Sequence, residues 1–596
     1  MRIHPALLLA ATALPAPALA CGGLFCNNSS PVVQQQESIL FAVDGETTHM
    51  HVRIVYAGPP QEFGWLLPVP RGVETTLSSE GILTALDGFS ATFYIGSWDQ
   101  QVQCLEFLDE EGGFGGSSAG GGEGGGGGEP GVEVLSREPV GPYDRAILDA
   151  RTVEALRMWL DENGYQVPEG TEEKLRPYVD QGAVFVAIKL LPGEDVGDIV
   201  PLHLSFPGNT PTIPIVPTSV AASPDMGIAV HLLGQTRAIP LNYLHVQINE
   251  AAIDWRGYGQ SNYPAVVAQA ADEAGGKAFA TDFAGRLTPE TTPTFWTASA
   301  DLLTRIAEVR TIAELGPFTC EVPFFDPDVA RLLRAILIPP DFESGQEPTY
   351  LDCAGPVGNP ADEGVDGAAL AARIEAEINE PRQAVAGLFQ SQPYLTRFTS
   401  SMSADEMTED PAFAFNPDLA DVSNVHEAAG IIYQCDANGY YDYANIRVRT
   451  PSGLMIEYKE TEPNADIIQR DRGMTVRQGA EPGAAVIERL PLTGPAIIEQ
   501  DHSAEIAARH PDNGGSGGGG GSGGAGGSSG GSGGRGGSGG ATDNPDAGAG
   551  GTGSGSVSAD GGDDGCGCSA TSGGVDPAAG LGLLALLGLS RRRRRS

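Results

Sequence analysis

Short runs in which apolar and polar residues alternate dominate the first half of the chain. Ser38 to Val43, His49 to Tyr56, Val102 to Leu108, Ala183 to Leu191, Val200 to Phe206, Ile228 to Leu233 and Leu241 to Ile248 are rich in β-branched or aromatic residues and bounded by Gly, Pro and Asp, which predicts strands. A 3.6-residue period is set among them. It is clearest from Thr152 to Asn163, where Val153, Leu156, Trp159 and Leu160 share one helical face and Gly164 stands as the C-terminal stop. Leu302, Leu303, Ile306 and Val309 mark another helix, and Leu370, Ile374 and Ile378 a third. Strands return at Ile446 to Arg449 and Leu454 to Lys459 around a Pro451-Ser452-Gly453 turn. The expected class is α+β, a strand-rich mixed body.

The 596 residues exceed what one small core needs. Two body domains are expected, a strand-rich one over 21–265 and a mixed α/β one over 266–510. A glycine-rich loop at 112–131 interrupts the first, because such composition buries too little apolar surface to order itself. From 511 to 564 the chain is almost wholly Gly, Ser, Ala and Asp, a tether whose typical reach is roughly 40 Å for about 50 residues.

Both ends read as processing signals. Residues 1–20 combine a polar start at Arg2 and His4, an apolar run from Ala6 to Leu14 and a small-residue site ending in Ala20, the pattern of a secretory signal peptide cut before Cys21. A cysteine in that place admits lipidation of Cys21, although Ala18 stands where lipoprotein signals carry Leu. Residues 565–596 hold Cys566 and Cys568, an apolar run from Ala578 to Leu589 and five arginines, Arg591 to Arg595. That run is shorter than the ~20 residues that span a bilayer. It fits a transient stop signal better than a permanent anchor.

Charge narrows the partners. The formal charge of −42 deepens to −48 once the six arginines of the two signals are removed, and such a surface repels nucleic acid and anionic lipid. No nucleic-acid partner is expected. The body cysteines, Cys21, Cys26, Cys104, Cys320, Cys353 and Cys435, read as disulfides in an exported chain. Cys21 with Cys26 and Cys320 with Cys353 are the expected pairs, each being close in sequence.

Candidate chemistry is sparse. The two G-x-S-x-G matches at Gly514 and Gly526 lie in the tether, where no strand-to-helix turn could expose a serine. Gly276-Lys277 lacks the upstream glycine and the hydroxyl residue of a phosphate loop, and His426-Glu427 lacks the second histidine of a zinc-protease helix. His49 and His51, two apart, share one strand face and could supply two metal ligands, but no third ligand is evident; a solvated polar face is the expected reading. Asp436, Asn438 and Asp442 resemble the start of a calcium loop, yet Asn438-Gly439 is equally a hairpin turn. Asp405, Glu406, Glu409 and Asp410 are read as a solvated or helix-capping patch, and the five tryptophans as core. No catalytic residue and no cofactor are expected.

Two resemblances complete the picture. The Gly-Cys element, apolar stretch and arginine cluster at the C-terminus resemble the myxobacterial C-terminal sorting domain, which implies a membrane protease that cuts near the cysteines and leaves the product on the outer membrane. Cys21-Gly22-Gly23-Leu24-Phe25-Cys26 with Gln35 and Glu37, Phe63-Gly64-Trp65-Leu66-Leu67-Pro68-Val69-Pro70, Trp159-Leu160 with Asn163-Gly164-Tyr165, and Tyr394-Leu395-Thr396-Arg397 leading to Phe415-Asn416-Pro417-Asp418 are together similar to the bacterial domain-of-unknown-function family 2330. That resemblance implies an exported protein and carries over no catalytic residue. The expectation is a cell-surface protein with a non-enzymatic structural or interaction role; the alternatives are a carbohydrate or calcium-assisted ligand-binding module and a hydrolase. Its partners would be the export machinery, a sorting protease and a surface ligand.

Overall fold

A computed structural model describes the body from residue 33 to residue 511; within it 58–62, 101–131, 193–197, 256–261, 338–363, 436–445, 459–466 and a few shorter stretches lie outside the described residues. The chain divides into two compact units, Met1–Asp512 with Gly582–Ser596, and Asn513–Leu581. The described residues all belong to the first.

The chain opens with β1 (Val33–Asp44), β2 (Thr47–Ala57), β3 (Gly64–Val69) and β4 (Glu74–Leu77), then helix α1 (Glu80–Ser90) and β5 (Phe93–Gln100). There follow β6 (Val132–Val140), β7 (Tyr143–Ala150), helices α2 (Val153–Glu162) and α3 (Thr171–Asp180), and β8 (Val184–Leu190). Next come β9 (Leu202–Pro207), the short α4 (Ile215–Thr218), β10 (Ala222–Gly234), β11 (Ala238–Pro240), β12 (Leu244–Ile248), α5 (Tyr263–Glu273) and β13 (Ala278–Arg286). A helical stretch contains α6 (Ala300–Ala307), α7 (Ile312–Leu315), α8 (Pro327–Leu337), α9 (Gly367–Ile374) and α10 (Glu380–Ser391). The chain then returns to β14 (Tyr394–Met402), β15 (Phe413–Phe415), β16 (Val425–Ile432), β17 (Ile446–Arg449), β18 (Met455–Tyr458), β19 (Ile467–Asp471), β20 (Met474–Arg477), β21 (Ala484–Arg489), β22 (Ile497–Asp501) and α11 (Ser503–Arg509). The class is mixed α+β, as the periodicities predict.

A ten-stranded sheet in the order β22-β21-β12-β13-β14-β10-β1-β2-β9-β4 organises the body. Strands from both sides of residue 265 alternate in it, since β10 and β13 both pair with β14 and β12 pairs with β13. The described body therefore has no seam at the expected domain boundary. Ile39 and Phe41 of β1 point to one face, where Trp65, Leu67, Val184, Val186 and Ile188 of the sheet β3-β8-β7-β6 close a shared core. Pro68 sits in β3, an edge strand of that sheet, where its missing N–H breaks no ladder. On the outer side of this small sheet, Leu156, Trp159 and Leu160 of α2 and Leu175 of α3 cover Leu66, Leu148 and Phe185. The Thr152 hydroxyl caps α2 by accepting from the Ala155 amide, and Gly164 takes φ +72°, the left-handed conformation that a helix stop requires.

Leu40 and Ala42 point to the other face of the large sheet. There Ile82, Leu83 and Leu86 of α1 and Val385, Leu388 and Phe389 of α10 cover them. The helices α6 to α9 build their own core, with an apolar cavity of about 20 Å³ lined by Trp296, Ile306, Phe318, Leu333 and Ile374 among others. It has no polar partner for water and stays dry. Trp65, Trp159 and Trp255 are buried, consistent with tryptophan as core.

Candidate functional site

Three histidines meet on the α1 side of the large sheet. His51 of β2 lies opposite His203 of β9, and their rings stack with centroids 4.3 Å apart. His49, on the same face of β2, brings Nδ1 to 3.1 Å from His203 Nε2. Thr76 Oγ1 lies 2.9 Å from His203 Nδ1, and Ser78 Oγ lies 2.8 Å from His51 Nδ1. The face is not solvated as expected: His51 is 1 % exposed. Its cross-strand neighbour Leu40 packs beneath α1, and a strand's alternation reveals which residues share a face without revealing what covers it.

The structure also supplies the third imidazole that the local sequence lacks. The ring planes are nearly parallel, at 14° and 12°, and His49 and His203 turn a nitrogen each toward the other. Among the described residues no group of three or more His, Cys, Asp or Glu is arranged to hold a metal ion. Burial holds the three imidazoles below their ordinary pKa, His203 down to about 4, and for His51 the two neighbouring histidines add to the effect.

The same row of the sheet continues through Leu40 to His231 of β10 and Arg397 of β14. Asp87 of α1 reaches into the row, with Oδ1 3.6 Å from His231 Nε2 and 3.4 Å from Arg397 Nη2. Arg53 pairs with Asp87 at 3.0 Å and with Glu80 at 2.5 Å, while Arg397 pairs with Asp282 at 3.2 Å. Asp282 also accepts the hydroxyls of Tyr263 and Thr399. His231 is fully buried beside Asp87 and the Ile39 backbone; burial lowers its pKa to about 4. This cluster is closed by its own ion pairs.

A third constellation lies on the opposite face, at the β21-β12-β13 end. His245 of β12 stands directly across from Glu488 of β21, with Nδ1 2.9 Å from Glu488 Oε1. Its Nε2 lies 2.8 Å from Thr281 Oγ1 of β13, and Arg237 Nη2 donates to that same oxygen at 3.1 Å. Gln247 Nε2 holds both carboxylate oxygens of Glu488 at 3.2 Å. Burial lowers the His245 pKa against the raising effect of Glu488. Burial pushes Glu488 up, but the bonds from His245 and Gln247 outweigh it and leave the carboxyl below its usual value.

Glu37 and Asp410 form a buried acidic pair on that face. Glu37 is 3 % exposed, and burial first, then Asp410, raises its pKa to about 7. Asp410 accepts the Tyr178 hydroxyl at 2.7 Å and the Val216 amide at 3.1 Å, and burial raises its pKa as well. The acidic patch is therefore not uniformly solvated: Glu409 is exposed beside Lys277, whereas Asp410 is turned inward.

His426 stacks on Tyr94 at 4.8 Å and stands 3.9 Å from Glu250, apart from the other histidines. Ala20, Cys21, Cys26, Cys104, Cys353, Asp436, Asn438, Asp442, Cys566 and Cys568 lie outside the described residues, as does the Cys320 side chain. Cys435 is disulfide-bonded. Non-reducing peptide mapping is expected to recover Cys435 in a cross-linked fragment with another cysteine, and its recovery as a free thiol would refute the bridge. Loss of this bridge should cost roughly 2–5 kcal/mol.

Residues 15–414 match the family described as an uncharacterized protein conserved in bacteria, domain of unknown function 2330, and the chain belongs to that family. Comparison with curated proteins and with solved structures gives no match.

Proposed function

We propose that this is an exported protein, carried out by a secretory signal and held at the outer membrane by a tail that a sorting protease processes, with a body that serves a non-enzymatic structural or interaction role at the cell surface. The observation that supports this most is the division of the chain at residue 512, where the compact body gives way to a separate unit of almost pure Gly, Ser, Ala and Asp. Such a segment has no core to build and works as a spacer. The acidic, well-packed body suits a surface that stays soluble and refuses nucleic acid.

Among the described residues Phe325 is the one strongly exposed aromatic, which counts against an aromatic sugar-binding groove. The hydrolase reading is favoured by one specific observation, the alignment of Glu488, His245 and Thr281.

The tail is tested by replacing Cys566 and Cys568 with alanine and by intact-mass analysis of the surface-held native protein. The variant is expected to be exported but unsorted, with its arginines retained. Native protein still carrying Arg591 to Arg595 would sink the sorting reading.

A further inference from the structure

We propose that Thr281, His245 and Glu488 form a nucleophile, base and positioning carboxylate for transfer of an acyl group from small esters, with Arg237 as the cation beside the reacting oxygen. The inference rests on the hydrolase reading, in place of a non-enzymatic body, and does not depend on location at the surface.

Proton bookkeeping within the cluster sets the direction of every hydrogen bond. Glu488 accepts a hydrogen bond at the imidazole, so His245 carries its proton on Nδ1 and presents a lone pair at Nε2. Arg237 can only donate, so its 3.1 Å bond to Thr281 Oγ1 uses an oxygen lone pair. The Thr281 proton must then point at His245 Nε2, 2.8 Å away. This is the polarity in which a hydroxyl hands its proton to a base as it attacks. The carboxylate that holds the ring is itself held by Gln247 through both oxygens.

Placement supports the same role. Three adjacent strands present the three groups on one sheet face, which is a more rigid support than a loop. A register shift in the β13–β14 ladder falls between Thr281 and Phe283, next to the hydroxyl, and bulges of this kind re-aim side chains beside active sites. Thr281 is half-buried while His245 and Glu488 are shielded, which makes it the most open residue of the three.

The reaction balances without a cofactor. Thr281 Oγ bonds to the ester carbonyl carbon and its proton passes to His245 Nε2. The C–O bond to the alcohol breaks, and the alcohol leaves with that proton. Water then gives a proton to His245 and its oxygen to the acyl carbon; the acid departs and Thr281 recovers its proton. Arg237, bonded to Thr281 Oγ1, favours loss of the hydroxyl proton in the first half and departure of that oxygen from the acyl carbon in the second.

The full chain is incubated with p-nitrophenyl acetate and, separately, with a fluorophosphonate. Wild-type protein is expected to release nitrophenol and to gain one phosphonyl mass on the peptide carrying Thr281. Thr281→Val, of nearly the same shape, should lose both signals, with hydrolysis falling by ~10²–10⁴-fold. Thr281→Ser should keep them. Glu488→Gln, a positioning change, should shift the pH profile as well as lower the rate. A folded wild-type protein with no label at Thr281 and no hydrolysis above that of folded Thr281→Val overturns the proposal. The assay requires no surface attachment, so its failure leaves the tail reading untouched.

Discussion

Replacing Arg382 with alanine should destabilise the body by about 3–5 kcal/mol, the usual consequence of removing one member of a buried ion-pair group. Its guanidinium is 1 % exposed and all three of its nitrogens are engaged. Nε donates to Ser79 Oγ at 2.8 Å, Nη1 to the Trp296 carbonyl and Asp326 at 2.8 Å each, and Nη2 to Asp326 at 2.8 Å and Asp328 at 2.6 Å. Asp328 is buried too, and it also accepts the amides of Glu80 and Gly81 at the start of α1. One arginine of α10 therefore ties α8 to α1 and the helical cluster to the sheet. Without it Asp328 keeps the Ser79 hydroxyl and two amides but lies buried with no counter-charge, half-buried Asp326 loses its guanidinium bonds, and desolvation, not the lost attraction, sets the cost. Urea unfolding of Arg382→Ala and of Arg305→Ala compares this with an exposed ion pair, Arg305 with Glu321, for which a change under about 1 kcal/mol is expected. Equal effects of the two changes would show that the buried cluster carries no special weight.

Mild acid should weaken the fold before the surface carboxylates titrate. His49, His51, His203, His231 and His245 all have folded pKa values below the ordinary 6.5, with burial as the first cause in each. A group depressed in this way binds fewer protons folded than unfolded, so its stability contribution is present above 6.5 and is lost as pH falls toward about 4. At 1.36 kcal/mol per unit, His203 and His231 each represent a few kcal/mol. Glu37 has the opposite sign. Its folded pKa is raised to about 7, so its contribution is full below 4.5 and is lost as pH rises through about 7. Glu80, Asp272, Asp282 and Asp410, also raised by burial, act in the same sense as Glu37 and oppose six lowered imidazoles, His426 included; His51, His203 and His231 carry large shifts, and the histidines should win. The melting temperature is expected to fall steadily between pH 7 and pH 4.5, with a shallower fall in His203→Gln. A flat or rising profile over that interval would contradict the buried, neutral state of these rings.

The stacked histidines show why a metal site is a poor reading of the pair His49 and His51 even after a third ring is found. Coordination requires free lone pairs that converge, and His49 and His203 already commit a nitrogen each to one another. What the rings share is the sheet face that carries α1, with His51 buried and His49 and His203 half-buried. Ser78 and Thr76 satisfy two of their nitrogens there.

Local pattern by itself determined the elements: the alternation through β1 and β2, the face of α2 with Thr152 and Gly164 at its ends, and the Pro451-Ser452-Gly453 hairpin all follow from backbone geometry over a few residues. It also told which side chains share a face, so His49 and His51 were legible as neighbours. What covers a face is a long-range matter. Only the tertiary structure set β1 parallel to β10 and antiparallel to β2, brought His203 against His51, and laid α1 over β1. The same holds for the candidate site, since Thr281, His245 and Glu488 carry no local motif and meet because β12 pairs with both β13 and β21. A sheet places residues side by side by register, and register between distant strands is decided by the packing of the whole core.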